Sequence, residues 1–137
     1  MIKLVKKYWL SITYIILIFV GCFMNPSSLP AAPMYNFDKV VHILLFFGLS
    51  IVLFFDTSCY LRCTVSKIRI ILIVFLFPII LGGLIEIIQE IIKEIFKEIL
   101  PYSRSGDWFD FVCDVIGAFL GLGFALLINL LLSLRKK

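Results

Sequence analysis

Long apolar stretches separated by short polar segments organise this chain. They run from Val5 to Met24, Val40 to Phe55, Ile70 to Ile88 and Phe109 to Leu134. A membrane-spanning helix needs about 20 mostly apolar residues, with about 17 as a lower limit. The second stretch reaches that length by extending over Asp38 and Lys39 or over Thr57 to Leu61. The pattern therefore predicts an all-α membrane protein with four transmembrane helices, over roughly 5–24, 38–57, 69–90 and 109–134, in one domain covering 1–137. No internal repeat or low-complexity linker divides it.

Finer features predict how these spans begin, bend and end. Pro26, Pro30 and Pro33 make the first loop extended, and Asp38 is placed to cap the second helix. Pro78 removes a backbone donor and should kink the third span, with Gly82 and Gly83 just beyond it. Past Ile88, Ile91, Ile92, Ile95, Phe96, Ile99 and Leu100 recur at helical spacing, opposite Glu90, Lys93, Glu94, Lys97 and Glu98. This is an amphipathic extension of the third helix that Pro101 limits. Ser105 or Asp107 can cap the last helix. On that helix Asp107, Asp110, Asp114, Gly117 and Gly121 are spaced three, four, three and four, so they share a face. Gly117 and Gly121 form a small-xxx-small pair suited to close helix packing, with Gly82 and Gly83 the expected counterpart.

Composition closes off the soluble reading. Hydrophobic residues make up 62% of the chain and charged ones 16%, with a mean hydropathy of +1.11. That leaves too little charge for a water-facing surface. The net charge of +4 reads as a topology signal rather than a nucleic-acid footprint, because no basic-aromatic motif accompanies it. Nine of the thirteen basic residues (Lys3, Lys6, Lys7, Arg62, Lys67, Arg69, Arg135, Lys136 and Lys137) fall on the side that holds both termini. Lys39, Lys93, Lys97 and Arg104 fall on the other. The positive-inside rule then puts both termini in the cytoplasm. Acids split the opposite way, with only Asp56 inside, so the outer end attracts cations. A retained first span is favoured over a cleaved leader, since no clean small-x-small site follows its core. The expected location is a membrane that the chain crosses several times.

The outer end gathers the chemistry. Asp38 and His42 share a face of the second helix, Glu86, Gln89 and Glu90 lie late on the third, and Arg104, Asp107, Asp110 and Asp114 open the fourth. Ionisable groups within spans face the bundle interior, paired or hydrated. One reading is a network that locks the helices, with Arg104 pairing to Asp110 or Glu86. The other is an outward-facing polar pocket for a lipid headgroup or an amphiphile. A catalytic version would use His42 with a carboxylate as general base, or carboxylates around a divalent cation. There is no nucleophile elbow, phosphate loop or HExxH, so neither a catalytic signature nor a resident metal is read, and no cofactor is named. Cys59 and Cys63 have no His to complete a zinc site. Cys22 and Cys113 lie near the same membrane face, where a disulfide is open, though buried free thiols are favoured.

These residues resemble the VanZ-like family. Asp38-Lys39-Val40-Val41-His42 is similar to its DKxxH opening, and Glu86-Ile87-Ile88-Gln89 to its ExxQ. Arg104-Ser105-Gly106-Asp107-Trp108-Phe109-Asp110, with Gly117 and Gly121, is similar to its RxxDxxD…G…G block. The three pieces occur in order over nearly the whole chain. Asp114 departs from the family's usual Asn. The candidate polar site is Asp38, Lys39, His42, Glu86, Gln89, Arg104, Asp107, Asp110 and Asp114, the last from its place in the span and not from the family pattern. The resemblance implies a bacterial inner-membrane protein. It also implies an effect on susceptibility to teicoplanin, a lipid-tailed glycopeptide that meets cell-wall precursor at the outer membrane face. The expected partners are then the lipid bilayer and a lipid headgroup, lipid-linked precursor or lipoglycopeptide. An enzyme acting on a lipid-linked or phospholipid substrate, and a purely structural bundle, remain the alternatives.

Overall fold

The computed structural model describes residues 7–24, 37–61, 65–96 and 106–135. Among these the chain is helical and contains no strand. The helices are α1 (Trp9–Phe23), α2 (Phe37–Leu61), α3 (Lys67–Ile95) and α4 (Trp108–Leu134). Three are long and apolar enough to cross a membrane: the Phe37–Ser58 part of α2, with 22 residues, α3 with 29 and α4 with 27. At about 1.5 Å per residue these reach about 33, 43 and 40 Å, against a hydrocarbon core of about 30 Å. Helix α1 has 15 residues, about 22 Å, so it is a shorter apolar helix rather than a full span by its own length.

Cross-helix hydrogen bonds fix the directions. Ser11 at the start of α1 meets Asp56 near the end of α2, so these two helices are antiparallel. Lys39 and His42 at the start of α2 meet Asp107, Asp110 and Asp114 at the start of α4, so α2 and α4 run the same way. Gln89 late on α3 reaches Cys22 late on α1. The helices thus alternate, and α2 with α4 forms the most extensive interface.

Glycine explains that closeness. A Cβ on Gly117 would strike the Ile43 carbonyl oxygen and come within 3.0 Å of the Phe47 nitrogen. A Cβ on Gly121 would strike the Ser50 side chain. The pair is therefore a backbone-contact seam, as small-xxx-small implies, but its neighbour is α2. The counterpart expected from spacing, Gly82 and Gly83 on α3, is corrected: Gly82 packs against Asp114 and Phe46, and Gly83 against Phe111. Spacing fixes which face a glycine occupies and leaves open which helix covers it.

Helix α3 is not regular. Ile71–Leu76 forms a π-helical segment immediately before Phe77 and Pro78. Proline lacks the N–H that an α-helical turn would use and crowds the preceding turn, and a π-helical turn re-satisfies the backbone by shifting the bonds one residue along. Where the sequence predicts a kink, the helix changes register. Helix α2 begins at Phe37, which puts Asp38 inside its first turn instead of at the cap. The α3 extension is helical to Ile95 and Phe96 is its C-cap; residues 97–100, the expected first loop and Arg104 lie outside the described residues.

The core runs along the middle of the bundle through Phe46, Leu49, Leu53 and Phe54 of α2, Ile18 of α1, Ile70, Val74 and Ile85 of α3, and Ala118 and Ala125 of α4. The periphery is apolar as well, with Leu44, Ile80, Phe119 and Leu130 each more than half exposed. Polar groups lie inside: His42, Ser50, Asp56, Thr57, Glu86, Gln89, Asp110 and Asp114 are all buried. Apolar outside and ionisable inside is the reverse of a water-soluble helix bundle, and it suggests a lipid bilayer as the surroundings.

Candidate functional site

The polar residues converge where α2 and α4 begin and α3 nears its end. Asp107 is the N-cap of α4, its Oδ1 accepting from the Phe109 N–H at 2.9 Å. This cap sets the first turn of α4 and puts Asp110 and Asp114 on the inward face, one and two turns below. In the first turn of α2, Lys39 donates to Asp107 Oδ2 at 2.9 Å and to Asp110 Oδ1 at 2.8 Å, with Asp38 Oδ2 at 3.8 Å. The Lys39 ammonium, and after it the Phe109 N–H, hold the Asp107 carboxyl below the usual carboxylate range.

Beneath Lys39 lies His42, only 3% exposed. Its Nδ1 and Asp114 Oδ1 are 2.9 Å apart, and its Nε2 stands 3.7 Å from Asp110 Oδ2. With Asp114 ionised, Nδ1 donates, which directs the Nε2 lone pair toward Asp110. Asp114 is fully buried, and its second oxygen has no hydrogen-bond partner among the described residues. Gly82 makes room for that carboxylate: a Cβ there would come within 2.7 Å of Asp114 Oδ2.

Glu86 closes the cluster from α3. Its Oε2 accepts the Asp107 N–H at 2.6 Å, so one carboxylate holds the backbone at the mouth of α4. Gly106 permits the approach, since a Cβ there would meet the Glu86 carbonyl at 2.5 Å. Glu86 Oε1 is buried without a hydrogen-bond partner among the described residues. Gln89, one turn further, is turned away from the acids: its Nε2 donates to the Cys22 carbonyl at 2.9 Å and ties α3 to α1.

The structure therefore brings together Asp38, Lys39, His42, Glu86, Asp107, Asp110 and Asp114. Gln89 lies beside them in a bond to α1, and Arg104 falls outside the described residues. Cys22 and Cys113 are both buried. Beside the cluster, a cleft of about 630 Å³ opens between α3 and the start of α4. Its walls include Gly83, Ile87, Ile91, Trp108 and Phe111, and its charged lining is Glu86, Glu90, Lys93 and Asp107.

Sequence reasoning missed a polar anchor at the opposite end. Asp56 Oδ2 accepts from both the Ser11 N–H (3.0 Å) and the Ser11 hydroxyl (2.7 Å). Asn129 both accepts from the Val65 N–H at 2.9 Å and donates to the Val65 carbonyl at 3.0 Å. The available signals were a lone acid on a basic membrane face and a lone amide within an apolar run.

No protein-family model, curated protein or solved structure matches this chain.

Proposed function

We propose that this chain is a multi-pass bacterial inner-membrane protein of the VanZ-like type that meets a lipid-tailed molecule at its outer face. In this reading α1 is the first of four spans and both termini are cytoplasmic, as the distribution of basic residues favours. The supporting observation is the cleft between α3 and α4. Apolar walls of Ile87, Trp108 and Phe111 stand beside a charged lining of Glu86, Glu90, Lys93 and Asp107. Such a surface suits an amphiphile whose tail lies along the helices while its polar part meets the charges. Teicoplanin and lipid-linked cell-wall precursor are both amphiphiles of this kind.

Trp108 provides the test. It lines the cleft, and the chain's only other tryptophan is Trp9. A Trp9→Phe protein in lipid nanodiscs, titrated with teicoplanin, should show a saturable change in Trp108 emission. Vancomycin, which lacks the lipid tail, should leave the emission unchanged. A linear response to both, with no saturation, would contradict the reading.

A second reading is an enzyme acting on a lipid-linked or phospholipid substrate. It draws on the His42–Asp114 contact, because a carboxylate that orients an imidazole is how a general base is prepared. It requires that His42→Ala abolish substrate turnover in a protein that still folds.

A further inference from the structure

In the cluster described above, Glu86, Asp107, Asp110 and Asp114 stand around His42, and Lys39 bridges Asp107 and Asp110. One atom from each of His42, Glu86 and Asp110 lies within 4.8 Å of the other two, and all three residues are buried.

We propose that His42, Glu86 and Asp110 form a binding site for a divalent transition-metal ion of the Mn²⁺ or Zn²⁺ class. Three protein ligands with a further position open to water is the pattern of catalytic and exchangeable sites rather than of closed structural ones. Imidazole nitrogen with two carboxylates suits Mn²⁺ or Zn²⁺ better than Mg²⁺ or Ca²⁺, which favour all-oxygen sites.

Geometry supports each ligand separately. His42 Nε2 and Asp110 Oδ2 stand 3.7 Å apart, too long for a hydrogen bond. Two atoms each about 2.1 Å from one ion, at a tetrahedral angle, stand about 3.4 Å apart. The opposite atom of each ligand is already held in place. His42 Nδ1 is against Asp114, Lys39 donates to Asp110 Oδ1, and the Asp107 N–H donates to Glu86 Oε2. Partners of this kind orient metal ligands and fix the histidine tautomer. The independent pointer is Glu86 Oε1. It belongs to a side chain more than nine-tenths buried and has no hydrogen-bond partner among the described residues. Direct coordination would satisfy it. The ion and the Lys39 ammonium would share Asp110 through different oxygens, with Asp107 reducing their repulsion.

The test uses the full-length chain in detergent, equilibrated with Mn²⁺ or Zn²⁺ and assayed for bound metal by mass spectrometry. Mn²⁺ is the more discriminating probe, because the four cysteines bind it poorly. The wild type should retain one ion per chain, and Glu86→Gln should lose it. Asp114→Asn should weaken binding by about 10-fold or more, while the exposed Glu94→Gln should bind as the wild type does. A wild-type chain that retains no stoichiometric Mn²⁺ or Zn²⁺ overturns the proposal whatever the variants do. So does a monodisperse Glu86→Gln protein that binds both ions undiminished. Metal content is read directly, so either failure leaves the amphiphile reading standing.

Discussion

At the residue scale the site depends on one lysine and one capping carboxylate. Lys39 bridges Asp107 and the buried Asp110, so Lys39→Met leaves Asp110 without its ammonium. The expected cost is about 2 kcal/mol, the scale of a charged hydrogen bond lost next to a buried acceptor, measurable by thermal unfolding in detergent. Asp107 adds a pH dependence. Its carboxyl is held below the ordinary value by Lys39 and then by the Phe109 N–H. A lowered folded-state pKa contributes stability above the unfolded-state value of about 4, and that contribution is lost as pH falls through the folded-state pKa. Wild type and Asp107→Asn should therefore differ in Tm at neutral pH, begin to converge below about pH 4, and coincide only once the pH is below the folded-state pKa. A gap that persists in acid would mean the carboxylate charge is not what stabilises. Much of this cluster was legible in the sequence, because Asp38, His42, Glu86, Asp107, Asp110 and Asp114 fall at one depth once the spans are aligned. The Lys39 bridge was not, because depth alone does not show that Lys39 reaches both Asp107 and Asp110; the expected pairing of Arg104 with Asp110 or Glu86 lies outside the described residues.

At the scale of the helices, α2 and α4 are held together by small residues. Gly117 has the Ile43 carbonyl where a Cβ would be, whereas a Cβ on Gly123 meets nothing within 4 Å. Gly123→Ala should therefore be tolerated and raise stability by about 0.5–1 kcal/mol through helix propensity. Gly117→Ala should lower stability, because backbone must move to admit the methyl group. The comparison is read from Tm in the same detergent, and equal behaviour of the two variants would refute the seam. Apolar stretches and the Asp107 cap were readable because membrane length and capping are local rules. The partner of the Gly117–Gly121 stripe, the π-helical segment at Ile71–Leu76 and the Ser11–Asp56 anchor were not. Each depends on which helices meet, and the pattern along one helix does not contain that.

At the scale of the whole molecule, an apolar periphery encloses two polar layers, an acidic cluster at one end and the Asp56 and Asn129 anchors at the other. If the acidic cluster faces outward, the basic segments lie in the cytoplasm. A fluorescent-protein fusion after Lys137 should then be bright, and an alkaline phosphatase fusion at the same point should be inactive. The reverse result would turn the molecule over and remove the cleft from the outer face. The most direct measurement is the teicoplanin and vancomycin susceptibility of a sensitive bacterium expressing this chain or its Asp110→Ala variant, at matched membrane levels. Protection against teicoplanin that Asp110→Ala loses is the predicted result. No protection by the wild type, or equal protection by the variant, would contradict a role for the acidic cluster in resistance.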